Sequence, residues 1–302
     1  MKRFVPFALL LILPGLVFTQ GQNLRMLHDK TEKQLRGIVE NSRGIVGISV
    51  LDLTSGERFA VNDELVFPQA SAIKIPILME VYKQASEQRF RLTDMRWVRK
   101  RDKVGGSGAL QELGDSTAQL SIRDLCIVMI LLSDNTATNM LIDEVGMDNI
   151  NRTIASLGLK QTRVQRKMLD VAASGRGDEN ISTPAEAARL MEILYKGEFI
   201  GRAACDDILA ILKKPKDGAM KSELPDGTPI AFKPGGIAGV STEWAIVYLK
   251  ERPFVAVFME NYELENEAQG SMRAVSRFLV NYFMRLGRAT KYGTYVDPSL
   301  PK

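Results

Sequence analysis

Apolar and polar positions alternate near both ends of this chain and recur at helical spacing through its middle. Ile45–Leu53 (IVGISVLDL) alternates and is rich in β-branched residues, which predicts a strand. Thr54-Ser55-Gly56 turns it into a second strand, Arg58–Val61, giving a hairpin. From Ser71 to about Gln88 the apolar residues Ile73, Ile77, Leu78 and Val81 mark one face of a helix, with Pro76 in the first turns, where a missing N–H is tolerated. Helical spacing continues from Ser121 to about Gly197. Ser121 with Asp124 resembles a capping box, and Thr183-Pro184 supplies an N-cap hydroxyl followed by an N1 proline. Arg163–Thr183 breaks the periodicity and reads as a long ordered loop, a class that is usually functional inside compact domains. Strand character returns at Pro229–Phe232, Trp244–Leu249 and Phe254–Phe258. A helix over about Glu267–Leu286 and a short tail follow. This order predicts an α/β domain built from both termini (22–66 and 215–302), with a helical domain (67–214) inserted between its halves.

The first residues change the picture of where the chain works. Lys2 and Arg3 precede an apolar run from Phe4 to Phe18, followed by small and polar residues. That is the layout of a secretory signal over residues 1–21, with cleavage expected after Thr19 or Gly21 and a mature protein secreted or in the periplasm. The run falls short of the roughly 20 residues that span a bilayer, so no membrane association beyond the signal is expected. About 280 mature residues suffice for one large domain or two closely packed ones, expected to be monomeric.

Composition excludes whole classes of chemistry. The only histidine, His28, falls in Asn23–Glu40, a polar amphipathic helix, which leaves no imidazole for a Ser-His-Asp or Cys-His triad. One histidine and two distant cysteines match no zinc-ligand spacing, and no phosphate-binding loop is present, so neither metal nor cofactor is expected. Cys126 and Cys205 fall on separate predicted helices and read as buried free thiols. The formal charge is +4, and Arg96, Arg99, Lys100, Arg101 and Lys103 form the one dense basic patch, read as a solvated loop without a recognised nucleic-acid-binding signature. A serine hydrolase in this chain must take its base from lysine or a carboxylate.

Three short motifs supply such a set in order. Ser71-Ala-Ile-Lys74 puts a hydroxyl and an amine three residues apart at the start of a helix, on one face. Ser133-Asp134-Asn135 stands at a helix–helix junction and is followed by Thr136-Ala137-Thr138-Asn139. Lys233-Pro234-Gly235-Gly236 sits on a predicted strand, where paired glycines weaken pairing unless something approaches the backbone closely. The ordered set is the signature of class A β-lactamases and penicillin-binding proteins, and the chain resembles that superfamily, the class A branch most closely. The resemblance extends over essentially the whole mature chain and implies a β-lactamase/transpeptidase-like fold. In it an antiparallel sheet flanked by terminal helices carries the inserted helical domain. By the same resemblance Ser71, Lys74, Ser133 and Lys233 are catalytic: nucleophile, base, proton relay and cationic partner. The backbone N–H groups of Ser71 and Gly236 form the oxyanion hole, and Asn135, Gly235, Ser241 and Thr242 bind substrate. Pro234 replaces a hydroxyl residue that helps hold the substrate carboxylate, for which Ser241 or Thr242 is the expected compensation. The expected substrate is a β-lactam or a peptidoglycan-like peptide.

One residue departs from the family. Class A enzymes carry a loop glutamate that activates the deacylating water and, four residues on, an asparagine that helps hold it. Aligning Arg166 with their loop-anchoring arginine puts Met168 and Ala172 at those two positions. Asp178 or Glu179 is expected to pair with Arg166, and Asp170 is the remaining carboxylate that could replace the base. Acylation then has a base and deacylation has none. Three readings follow: a β-lactamase with slow deacylation, a D-alanyl-D-alanine peptidase or esterase, and a penicillin-binding sensor without turnover.

Overall fold

The structure is a computed structural model that describes residues 18–250, 252–290 and 292–295, so most of the expected export signal and the last residues of the tail lie outside the described residues. Helix α1 (Phe18–Glu40) leads into β1 (Ile45–Asp52), β2 (Arg58–Val61) and a two-residue strand β3 (Phe67–Pro68). A 3₁₀ turn (Ala70–Ile73) runs into α2 (Lys74–Ser86), followed by β4 (Met95–Trp97) and β5 (Gln119–Ser121). The helices α3 (Ile122–Leu131), α4 (Asn135–Val145), α5 (Met147–Ser156) and α6 (Val171–Gly175) follow in turn. Strand β6 (Ile181–Ser182), α7 (Pro184–Lys196) and α8 (Arg202–Leu212) complete the middle of the chain. The last third gives β7 (Ile230–Ile237), β8 (Val240–Val247), β9 (Phe254–Asn261) and α9 (Glu265–Arg288).

Five antiparallel strands form one sheet in the order β2-β1-β9-β8-β7, which joins residues 45–61 to residues 230–261. Alternation sorts its side chains between two apolar cores rather than between core and water. On β9, Val255, Val257 and Met259 enter the core shared with the middle helices, whereas Phe254, Ala256 and Phe258 enter the core under α1 and α9. A one-residue slip would exchange every one of these, so both covered faces fix the register. β7 is an edge strand, and this is where Pro234 is tolerated, because a proline in a central strand would leave a neighbouring carbonyl without a donor. Among the described residues no helix is long and apolar enough to cross a membrane.

The capping signals act as the sequence predicts. Ser121 Oγ accepts from Asp124 N at the start of α3, and Thr183 Oγ1 accepts from Glu186 N with Pro184 opening α7. The helix expected from Ser71 begins later: Ser71 belongs to the 3₁₀ turn, and the α-helix starts only at Lys74. The expected C-terminal tail also folds back in part, with a bridge from Ala289 to Tyr295. Cys126 and Cys205 are buried and free, and burial pushes the Cys126 thiol well above its ordinary range. His28 stacks on Phe59, ring centroids 4.4 Å apart, away from the cleft described below. The basic patch is largely spent on local partners: Arg96 makes a bidentate pair with Glu144, Arg101 lies beside Asp102, and Lys103 donates to Leu113 O.

Candidate active site

The three motifs meet at one cleft of about 580 Å³, whose lining includes Ser71, Ser133, Lys233, Gly235, Gly236 and Thr242. Local backbone strain marks where they meet. Ala70, immediately before Ser71, has φ +44°, Ser133 has φ +53°, and Leu169 in the long loop has φ +60°. A side chain in the left-handed region costs about 1–3 kcal/mol and persists only where its surroundings enforce it.

Gln69 is what enforces the turn at Ser71. It is fully buried; its N–H donates to Asn180 O at 2.8 Å, and its Oε1 accepts from Trp244 Nε1 at 3.0 Å. Its carbonyl oxygen accepts from Thr242 Oγ1 at 3.0 Å. The Thr242 proton is therefore committed to the backbone before the nucleophile, which corrects the expectation of a hydroxyl free to replace the one lost at Pro234. Ser241 borders the same cleft, but alternation turns its side chain to the opposite face of β8 from Thr242. Gly235 lets β7 lie against the turn, since a Cβ there would come within 2.7 Å of Ser71 N and 2.8 Å of Ala72 N. Its smallness brings the backbone of β7 against the Ser71 turn, a packing constraint apart from the substrate contact expected from the sequence.

Lys74 lies at the centre of the cluster and has no exposed surface. Its Nζ donates to Ser133 O at 2.7 Å, Ser133 Oγ at 3.1 Å and Asn135 Oδ1 at 3.0 Å. Burial lowers its pKa to about 7, and the Asp134 carboxylate only partly opposes this. The neutral amine is thus well populated at neutral pH, with a lone pair available to a hydroxyl. Ser71 Oγ makes no hydrogen bond among the described residues. Lys233 is 2 % exposed and donates to Pro234 O at 2.7 Å. Burial holds its pKa well below the lysine range, followed by the positive charges of Lys74 and Lys216, with Glu243 opposing. The charge of Lys74 acts on Lys233, whereas at Lys74 burial is the main cause and Asp134 the opposing one.

Asp134 is a structural tie. Its Oδ1 caps α4 through Ala137 N at 2.8 Å, while Oδ2 accepts from Ala109 N at 2.7 Å and Leu110 N at 2.9 Å. The 105–110 loop is thereby fixed against the Ser133 junction, and Asn135 Nδ2 adds a bond to Gly105 O at 3.1 Å. A Cβ at Gly108, where φ is +111°, would fall 2.3 Å from the Asp134 carboxylate.

The long loop closes on the same cluster. Arg166 pairs with Glu179 at 3.0 Å and 2.9 Å, which decides between the two carboxylates in favour of Glu179, while Asp178 pairs with Arg176. Asn139 holds the Met168 backbone from both sides, accepting from its N–H at 2.8 Å and donating to its carbonyl at 3.1 Å. The Met168 side chain is 7 % exposed and belongs to the core shared with the middle helices. Asp170 caps α6 through Ala173 N at 2.9 Å and is not part of the cleft lining. Gln69 and Asn139 escape a reading of the sequence because each is a lone polar residue whose partners are distant in the chain. Only the family-like run Thr136–Asn139 could have pointed to Asn139.

Comparison with known proteins bears on the family and the fold. Residues 30–283 match the Beta-lactamase enzyme family. An imipenem-hydrolyzing β-lactamase of Enterobacter cloacae is 24 % identical over 250 residues, covering 80 % of this chain and 85 % of the relative. The crystal structure of a β-lactamase from Sphaerobacter thermophilus superposes with a TM-score of 0.78 and 30 % identity, covering 84 % of this chain and 97 % of that one. A leucine-to-glutamate mutant of PBP-A, solved as an acyl-enzyme complex with penicillin G, gives a TM-score of 0.78 and 27 % identity, covering 85 % and 97 %. With the family match running over residues 30–283 and the fold shared over 84 % of its length, the chain belongs to the β-lactamase enzyme family.

Proposed function

We propose that the protein is an exported serine acyl-hydrolase that opens β-lactams through an acyl-Ser71 intermediate and releases that intermediate slowly. The observation that carries the reading is Lys74: a fully buried amine with a pKa of about 7, bonded to Ser133 and Asn135 one helical turn from Ser71. Neutral Lys74 takes the Ser71 proton as Oγ forms its bond to the lactam carbonyl carbon. The backbone N–H groups of Ser71 and Gly236 hold the oxyanion, an arrangement whose individual donors typically contribute about 10²–10³ in rate. As the C–N bond breaks, Ser133 passes a proton to the leaving nitrogen and is resupplied by Lys74, to which it is already hydrogen-bonded. Asn135 and the β7 backbone align the substrate amide, Lys233 provides the cationic side of the cleft, and Ser241 and Thr242 complete its wall.

Hydrolysis of the ester that results needs a base for water, and the thioether at Met168 cannot accept a proton. The same observation favours a second reading, a D-alanyl-D-alanine peptidase or esterase for which β-lactams are slow-leaving inhibitors. The acyl-enzyme complex of PBP-A with penicillin G supports the shared first half of both reactions. A pure binder that forms no bond to its ligand would have no chemical need for Lys74, Ser133 and Lys233 together. The protein is read as a monomer in the periplasm or outside the cell, with small-molecule or cell-wall peptide substrates and no metal or cofactor. The test is intact mass after mixing with penicillin G. The wild type is expected to gain the full mass of the penicillin, and Ser71→Ala to gain nothing. An adduct of equal amount on Ser71→Ala would place the chemistry elsewhere and refute the reading.

A further inference from the structure

We propose that Leu169 is a positioning residue for the substrate amide. It clamps the Gly105-Gly106 stretch and so holds the side-chain amide of Asn135 in the direction that acylation needs. The inference rests on the acyl-transfer reading above and adds to it a loop residue that none of the three motifs contains.

The backbone at Leu169 lies in the left-handed region, φ +60°, where a leucine is disfavoured and a glycine is not. Two fixed points force this turn. On one side Asn139 of α4 grips the Met168 N–H and carbonyl; on the other Asp170 caps α6, which begins at Val171. The chain reverses between them, and Val171 N donates to Leu169 O at 2.9 Å within the reversal. Glycine or asparagine would make the same turn at lower cost. A leucine held there against its preference points to a use for its side chain.

The contacts of that side chain show the use. Leu169 is 49 % exposed, and its methyls lie over two glycines of the loop that precedes Ser107 in the cleft wall. A Cβ at Gly106 would lie 3.4 Å from Leu169 Cδ1 and 3.7 Å from Cδ2, and one at Gly105 would lie 3.7 Å from Cδ1. The same point over Gly106 is 2.8 Å from Asn135 Nδ2, so the leucine methyls and the Asn135 amide converge on one glycine. Both ends of that amide are committed: Oδ1 accepts from Lys74 Nζ at 3.0 Å, and Nδ2 donates to Gly105 O at 3.1 Å. An amide nitrogen carries two hydrogens, and the second is left for a carbonyl of the substrate. Its direction depends on where Gly105 O stands.

The residues around the two glycines are tied more firmly than the glycines themselves. Val104 bonds Thr136 Oγ1 through both its N–H and its carbonyl, Ser107 O accepts from Asn135 N at 3.0 Å, and Ala109 and Leu110 donate to Asp134. Gly105 and Gly106 are exposed, with Gly106 at φ +80°, and Gln111 Nε2 donates to Gly106 O at 2.9 Å. Consecutive glycines have the most conformational freedom to lose, so an apolar clamp from the facing loop has its largest effect here. Loop closure and substrate alignment are thereby linked: Asn139 fixes the turn at Leu169, Leu169 restrains Gly105-Gly106, and Gly105 O orients Asn135.

The test is the acylation rate constant of the whole protein, by quenched-flow intact mass, with two penicillins. Penicillin G carries a side-chain amide for Asn135 to hold; 6-aminopenicillanic acid has the same bicyclic ring with a free amine instead. Leu169→Gly and Leu169→Asn both suit the left-handed turn and remove the clamp. Each is expected to slow acylation by penicillin G about threefold to tenfold, the worth of one hydrogen bond, and to leave 6-aminopenicillanic acid within about twofold of wild type. Leu169→Met, which keeps an apolar side chain of similar length, should stay near the wild-type rate with both. In an Asn135→Ala background the effect of Leu169→Gly on penicillin G should vanish. Equal slowing of both substrates, an effect that persists without Asn135, or wild-type rates in both clamp variants would overturn the inference. If Leu169→Gly does not fold, Leu169→Asn decides by the same criteria. A wild type that gives no adduct with either penicillin sinks the acyl-transfer reading, and this inference with it.

Discussion

Met168→Glu is expected to shorten the lifetime of the penicillin adduct on Ser71 by about 10²–10⁴-fold, the usual contribution of a positioned general base. The backbone at this position is already held as a base would require. Asn139 grips the Met168 N–H and carbonyl together, and the Arg166–Glu179 pair and the β3–β6 pairing close the loop on either side. The substitution therefore changes a side chain and leaves its support in place. The cost falls on stability: the site is 7 % exposed in an apolar core, and a carboxyl placed there loses hydration. A fall in Tm with a large rise in adduct release, read by intact mass over time, is the expected pair of results. An unchanged lifetime in a folded variant would mean that Met168 does not occupy the position of the base.

Lys74→Met is expected to lower the acylation rate by a comparable 10²–10⁴-fold while leaving the protein folded. Methionine fills similar space, but Ser133 O and Asn135 Oδ1 lose the donor that now satisfies them. The wild-type rate should climb with pH through about 7, because the neutral amine is the active form, and the variant should lack that limb. Stability carries the same signature with a definite sign. The unfolded lysine titrates near 10.5 and the buried one near 7, so between these values the unfolded chain binds more protons at this site. The contribution of Lys74 to stability therefore rises with pH across that window and is poorest below it, where the ammonium is buried at full cost. Stopped-flow acylation and thermal melts over pH 6–9 check both slopes.

Much of this arrangement was legible in the chain. The five sheet strands, the caps at Ser121 and Thr183, and the three motifs announce themselves because periodicity and local hydrogen bonding are properties of neighbouring residues. What stayed hidden depends on partners far away in sequence. Strands β3 and β6 are two residues each, and β4 and β5 three each, too short for any alternation to register. The 3₁₀ turn at Ser71 is imposed by Gln69, which is anchored by Asn180, Thr242 and Trp244 from later segments. Thr242 offered a hydroxyl to the sequence and spends its proton on that turn. Glu243, an ordinary acidic residue on paper, becomes a buried tie only when β8 meets the 217–220 segment.

The most direct test of the central claim, a complete acylating set without a deacylating base, is pre-steady-state product release from a chromogenic cephalosporin. The account predicts a burst close to one equivalent per protein, followed by a steady state slower by orders of magnitude. Linear, rapid turnover from the first instant, with no adduct detectable by mass, would contradict it and show that another group has taken over the work of the missing glutamate.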